Sequence, residues 1–208
     1  MSTLTELLLA TNNPGKVREY CLLLQGLPFV VTTAGKKGIK VTLGESGATY
    51  EQNAALKAKT YAQISGLISL ADDSGIEVDA LAGEPGPLSA RYAGEGASDE
   101  ARMDFLLRKL SAVPWERRSA RFRCVIAIAT PDGKLELCHG DCEGFIAFEP
   151  KGENGFGYDP IFYLPELGKT MAELAIEEKN KVSHRGKTAQ KARQILVRLA
   201  EAEIERAL

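Results

Sequence analysis

The chain has 208 residues, of which 44% are hydrophobic and 26% charged, and a formal net charge of −2. This is ordinary globular composition, sufficient for one sizeable core, and residues 1–208 read as a single domain. Near-neutral charge gives no global attraction to nucleic acid or an anionic membrane, no apolar run reaches bilayer length, and Met1 to Leu9 lacks the basic start of a secretion signal. The expectation is a cytoplasmic protein without nucleic acid or membrane partners.

Leu7 to Ala10 reads as a buried strand, and a helix follows with Val17, Tyr20, Cys21 and Leu24 on one face. Asn13 is its predicted N-cap, Pro14 suits the first helical position and Gly26 the stop. Phe29 to Thr33 is a second strand. Thr49-x-x-Gln52 has the form of a capping box opening a helix to about Ser65, stopped by Gly66, and Leu67 to Ala71 is the next buried strand. Ser98, with Asp99 and Glu100 behind it, opens a packing helix whose apolar stripe is Met103, Leu106, Leu107 and Leu110. Arg121 to Thr130 and Leu135 to Phe148 read as two long strands joined by the turn Pro131-Asp132-Gly133-Lys134. A C-terminal helix with Ala192, Ile195, Leu196 and Leu199 on one face closes the chain. Strands alternating with helices early and a long hairpin late predict an α/β protein with a mixed central sheet flanked by helices.

The remaining features concern chemistry. Cys21, Cys124, Cys138 and Cys142 fall within predicted elements and read as reduced packing thiols. Cys138-His139-x-x-Cys142 is a poor zinc motif, because four residues of strand span roughly 13 Å. The cluster Arg117, Arg118, Arg121 and Arg123 reads as a solvated face or an interface. Lys16 stands in the first turn of its helix, where the dipole disfavours a cation and favours an anion. Backbone N–H groups there, with Thr11, Asn12, Asn13 and the Lys16 ammonium, form a candidate phosphate cradle; a capped helix with a solvated lysine is the plainer alternative. A Walker A loop is excluded, since Ala10 stands at its first glycine and Val17 replaces the metal-binding Ser or Thr.

Asp72-Asp73-Ser74-Gly75 follows the third strand, delivering two carboxylates to a sheet end where a magnesium or manganese ion would offset their repulsion; an Asx-rich turn fits equally. Glu45, between Gly44 and Gly47, is a further candidate metal carboxylate, and Asn53 and Lys57 share a helix face that reads as solvated. Gly155-Phe156-Gly157-Tyr158-Asp159-Pro160 lies in a glycine-interrupted loop able to bring a ring to a planar ligand, or to plug the core. Lys179 to Lys187, with Ser183 as N-cap, gathers cations at a second helix start.

Taken together, these segments resemble the inosine triphosphate pyrophosphatase family. The similarity is carried in order by Ala10-Thr11-Asn12-Asn13-Pro14-Gly15-Lys16, Asn53-Ala54-x-x-Lys57-Ala58, Ala71-Asp72-Asp73-Ser74-Gly75, Ser89-Ala90-Arg91-Tyr92, Gly155-Phe156-Gly157-Tyr158-Asp159-Pro160 and Ser183-His184-Arg185-Gly186. One departure is Gln52, where the family more often has an acidic residue. The resemblance implies magnesium-dependent hydrolysis of non-standard purine nucleoside triphosphates (ITP, dITP, XTP) to monophosphate and pyrophosphate. It implies Mg2+ on Glu45 and Asp73, with Asp73 also the base that deprotonates water and Asp72 assisting. Thr11, Asn12, Asn13, Pro14, Gly15, Lys16, Lys57 and Ser74 would bind triphosphate and sugar. Phe156 would stack on the base, with Gly157, Tyr158, Asp159, Lys179, His184 and Arg185 completing the substrate-binding set. The implied fold has two lobes on an elongated mixed sheet with an active-site cleft, in a homodimer. Two alternatives share many of these residues: a pyrophosphatase for other modified nucleotides, as in the related septum-inhibitor family, and a non-catalytic nucleotide sensor.

Overall fold

The computed structural model describes residues 5–41, 43 and 48–206. Its described strands form one seven-stranded sheet in the order β2-β1-β3-β4-β5-β6-β7, with β1 Thr5–Leu9, β2 Phe29–Thr33, β3 Ile68–Val78, β4 Ser119–Ala129, β5 Leu135–Ile146, β6 Phe162–Leu164 and β7 Lys169–Thr170. The helices are α1 Pro14–Leu23, α2 Tyr50–Ser65, α3 Asp99–Lys109, α4 Ile176–Val182 and α5 His184–Arg206. The mixed α/β architecture is the one expected. β1 pairs in parallel with β2 (Leu7 opposite Val31) and with β3 (Leu8 opposite Ser69), whereas β5, β6 and β7 pair antiparallel. The chain divides into two compact units, one of Met1–Asp73, Cys124–His139 and Lys187–Leu208, the other of Ser74–Arg123 and Gly140–Gly186.

In the first unit both sheet faces are covered, so Leu7, Leu8 and Leu9 are all fully buried, as a parallel strand between two layers requires. Strand alternation sorts the side chains. Leu7, Leu9, Ile68, Leu70, Ile126 and Ile128 pack with Tyr20 and Leu24 of α1 and with Ala189, Ala192 and Leu196 of α5. Leu8, Ala10, Ala71, Val125, Ala127 and Ala129 pack against Tyr50, Ala54, Ala58, Tyr61 and Ala62 of α2. Small residues on both sides of the second layer let helix and sheet approach closely.

Local chemistry sets most boundaries. The Asn13 side chain accepts from the Lys16 amide, capping α1. Thr49 Oγ1 accepts from the Gln52 amide and Gly66 closes α2 at φ 67°, a left-handed value that glycine adopts without strain. The Gln52 side chain, however, accepts from the Ala48 amide rather than from Thr49, so the expected capping box is displaced by one residue. Cys21 is exposed, off the predicted apolar face of α1, while Cys124, Cys138 and Cys142 are buried and all four are free thiols.

The second unit is centred on Ile76, Val78, Met103, Leu106, Leu110, Phe122, Ile146 and Phe162. It contains α4, β6 and β7, which are too short to give a periodic signal. Arg118 departs from the solvated basic face that was expected: it is 2% exposed. It donates to the carbonyls of Leu110 at 2.7 Å, Val113 at 3.0 Å and Ala147 at 2.9 Å, and so closes the C-terminal end of α3 against the end of β5. Burial pushes its guanidinium below the usual value, yet an arginine remains cationic at neutral pH. Among the described residues no helix is long and apolar enough to cross a membrane. Arg118→Met should keep much of the side-chain volume but remove the donors that tie the end of α3 to the end of β5, lowering unfolding stability by about 2 kcal/mol; urea denaturation measures the loss.

Candidate functional site

β3 runs for eleven residues and passes through Asp72, Asp73 and Ser74 instead of stopping at Ala71. The Asx-turn alternative therefore does not hold: both carboxylates sit inside a strand, 1% and 5% exposed. Successive side chains of a strand point to opposite faces. Asp72 continues the row of Ile68 and Leu70, toward α1, and its Oδ1 lies 3.0 Å from Lys16 Nζ. Asp73 continues the row of Ala71, toward α2, where Lys57 Nζ is 3.1 Å from Oδ1 and Asn53 Nδ2 donates to Oδ2 at 3.1 Å. Lys57 also donates to the Asp72 carbonyl at 2.7 Å. Asn53 and Lys57 are thus drawn inward, against the solvated face that the sequence suggested, and Asn53 is a site residue the sequence undervalued. Its i, i+4 spacing with Lys57 was the available signal.

The turn before α1 completes this first cluster. Thr11 Oγ1 accepts from the Asn13 amide at 3.2 Å, and Asn12, Asn13 and Pro14 are exposed while Gly15 is buried. Two N–H groups counted toward an anion cradle are engaged inside the helix, the Lys16 amide by Asn13 Oδ1 and the Val17 amide by the Asn13 carbonyl. The helix dipole and the Lys16 ammonium remain the main attraction for an anion there. Glu45, the expected second metal ligand, lies outside the described residues.

A second cluster forms in the unit that begins at Ser74. Arg185, 2% exposed, donates from Nη2 to Ser74 Oγ at 3.0 Å. The Phe156 ring, half-buried, has Lys179 Nζ 4.9 Å and Arg185 Cζ 5.4 Å from its centroid, within cation–π range. Asp159 Oδ2 takes the Lys179 ammonium at 2.5 Å and the Phe156 amide at 2.8 Å, so one buried carboxylate fixes both the loop and the cation. His184 stacks on Phe122, with ring centroids 4.6 Å apart and planes 13° apart. Tyr158 is core: its hydroxyl donates to the Ser89 carbonyl at 2.9 Å, and burial pushes the phenol well above its usual value, keeping it a proton donor. Lys179, His184 and Arg185 are each at most 3% exposed, unlike the solvated run of charges that the segment alone suggested. Asp99 has only the local signal of a first-turn acid, yet its side chain accepts from the Gly157 amide 58 residues away.

Two glycines shape this second cluster. Gly155 has φ 77°, and a Cβ there would lie 2.1 Å from Asp159 Oδ2. A Cβ on Gly186 would lie 1.8 Å from the Asn180 carbonyl oxygen, so α5 starts against α4 only because that position has no side chain.

The fold and the first cluster define an α/β protein with buried carboxylate–lysine pairs gathered beside a helix N-terminus, the equipment of a protein that handles phosphate groups. The particular lineage follows from comparison: the chain belongs to the Ham1 family, whose model matches residues 7–195. It is 52% identical over 194 residues to the dITP/XTP pyrophosphatase of Desulforamulus reducens, covering 93% of this chain and 96% of that protein. It is 43% identical to the dITP/XTP pyrophosphatase of Bacillus subtilis, covering 94% and 99%. Among solved structures, a HAM1 protein from Coxiella burnetii matches with a TM-score of 0.84 at 41% identity, covering 93% of this chain and 99% of that one.

Gly186→Ala should force the start of α5 away from α4 and displace Arg185, lowering stability by about 2 kcal/mol or more; the fall in thermal midpoint and in nucleotide affinity would be measured together.

Proposed function

We propose that this protein hydrolyses non-standard purine nucleoside triphosphates, dITP, XTP and ITP, to monophosphate and pyrophosphate, removing them from the nucleotide pool. The observation that carries this reading is Asp73, a buried carboxylate on β3 held by Lys57 and Asn53 of α2. Its neighbour Asp72 restrains Lys16 beside the N-terminus of α1. Membership of the Ham1 family and the dITP/XTP pyrophosphatases among its relatives support the substrate class. We also infer a cytoplasmic location, from the sequence, and a homodimer, on the family resemblance; light scattering of the purified protein checks the homodimer.

Asp73 takes the proton from a water aligned with the α phosphorus; the water oxygen bonds to that phosphorus as the bond to the bridging oxygen of the β phosphate breaks, giving monophosphate and pyrophosphate. Lys16 and Lys57 neutralise the departing pyrophosphate. Positioning and charge supply most of the rate in such a reaction. Asp73 and, on the family resemblance, Glu45 would hold Mg2+ through hard carboxylate oxygens of the kind magnesium favours, with water and substrate phosphate as its other ligands. When bound, it would offset charge on the phosphate oxygens.

In the second cluster Phe156 offers the base a ring, and Arg185 offers donors to an acceptor oxygen at C6. Hypoxanthine and xanthine carry that oxygen whereas adenine carries an amino group, so an unmatched donor in a dry site rejects ATP by roughly 10⁴-fold or more. Ser74, which accepts from Arg185 at 3.0 Å, would contribute at the sugar.

Asp73→Asn should reduce turnover by about 10³-fold while leaving nucleotide affinity near wild type. Pyrophosphate release and equilibrium binding read the two separately, and near-normal turnover would remove Asp73 from the role of base. Pyrophosphate release should stop on chelation with EDTA and return with magnesium; full activity in chelator would overturn the metal assignment. Across dITP, XTP, GTP and ATP, equal rates would defeat the base-selection reading, and binding without pyrophosphate release would favour a sensor.

A further inference from the structure

The loop that presents Phe156 is held by two carboxylates. Asp159, within the loop, accepts from the Phe156 amide at 2.8 Å. Asp99, the first residue of α3, accepts from the next amide, that of Gly157, at 2.6 Å. These consecutive peptide groups bracket one Cα atom. Because each peptide is planar, fixing both fixes φ and ψ of Phe156, and a staggered χ1 then sets where its ring stands. Both acceptors are carboxylates, which bind amides more strongly than neutral oxygens do.

Asp99 is itself oriented. Its Oδ1 receives Arg102 Nη2 one turn further along α3, and Arg102 Nη1 donates to the Ala90 carbonyl at 2.5 Å. Asp99 and Arg102 thereby join the Gly157 peptide to the Ser89–Ala90 segment, which the same loop reaches again through the Tyr158 hydroxyl on the Ser89 carbonyl. The Asp99 side chain is 41% exposed and takes no part in the apolar core, so its removal leaves the core packing in place.

We infer that Asp99, oriented by Arg102, is a positioning residue for base recognition, which fixes the Phe156 ring against Lys179 and Arg185 by holding the Gly157 amide. This rests on the reading of Phe156 as the base-stacking ring. A plain first-turn acid would act differently, supporting α3 through the helix dipole and changing stability alone.

The test is a double-mutant cycle of wild type, Asp99→Ala, Phe156→Ala and the double variant, in steady-state hydrolysis of dITP with thermal unfolding of each protein. Asp99→Ala should raise KM about tenfold with kcat little changed, a loss of the size that aromatic–base stacking provides. Asp99→Asn, which keeps an oxygen acceptor for Gly157, should raise KM less. In the Phe156→Ala background, Asp99→Ala should add no further rise, because the ring it positions is gone. An additive rise in the double variant, or a lowered thermal midpoint with unchanged KM in Asp99→Ala, would overturn the inference while leaving the stacking reading intact. A wild-type KM in Phe156→Ala would overturn the stacking reading itself, and the role of Asp99 with it.

Discussion

The pleat of β3 at Asp72 and Asp73 is the constraint on which the rest of the first cluster depends. Two adjacent carboxylates would repel each other on a turn, but a strand sends them to opposite faces. Each therefore meets its own helix and its own lysine, Lys16 from α1 and Lys57 from α2. That division needs β3 to be central, with β1 on one side and β4 on the other, and needs a helix over each face. The apolar rows of Leu70 and Ala71 provide it one turn of the pleat earlier.

The buried ion pairs are not explained by stability. Lys57–Asp73 and Lys179–Asp159 are largely desolvated, with side-chain exposures of 13% and 8% in the first and 3% each in the second. Desolvation of such pairs commonly offsets their mutual attraction, and apolar residues of similar size would serve folding as well or better. On the proposed function, their presence is better understood through what the charges do: a fixed carboxylate and fixed ammonium groups would cost no reorganisation when an anionic substrate arrives.

Preorganisation in the second cluster comes from backbone geometry as much as from charge. Gly155 gives Asp159 room to reach the Phe156 amide, and Gly186 lets α5 begin against the Asn180 carbonyl, which seats Arg185 beside Ser74. These glycines act by the space they leave. Tyr158, although adjacent to Phe156, serves as the anchor of the loop through Ser89 and not as a second exposed ring.

The class of fold and several helix caps are legible in the local amino-acid pattern. Hydrophobic periodicity and capping chemistry act over a few residues, so Asn13, Thr49, Gly66 and Ser98 could be read directly, as could the six ordered motifs that carried the family. Tertiary structure alone decided which charged residues turn inward. Asn53, Lys57, Arg118, Lys179 and Arg185 look solvated by local pattern, and each is buried or half-buried because an acceptor waits elsewhere in the chain. Lys57 meets Asp73 across 16 residues, Asp99 meets Gly157 across 58 and Arg185 meets Ser74 across 111. No local periodicity encodes such pairings, because the desolvation that makes them matter exists only once the sheet and its helices have closed over them.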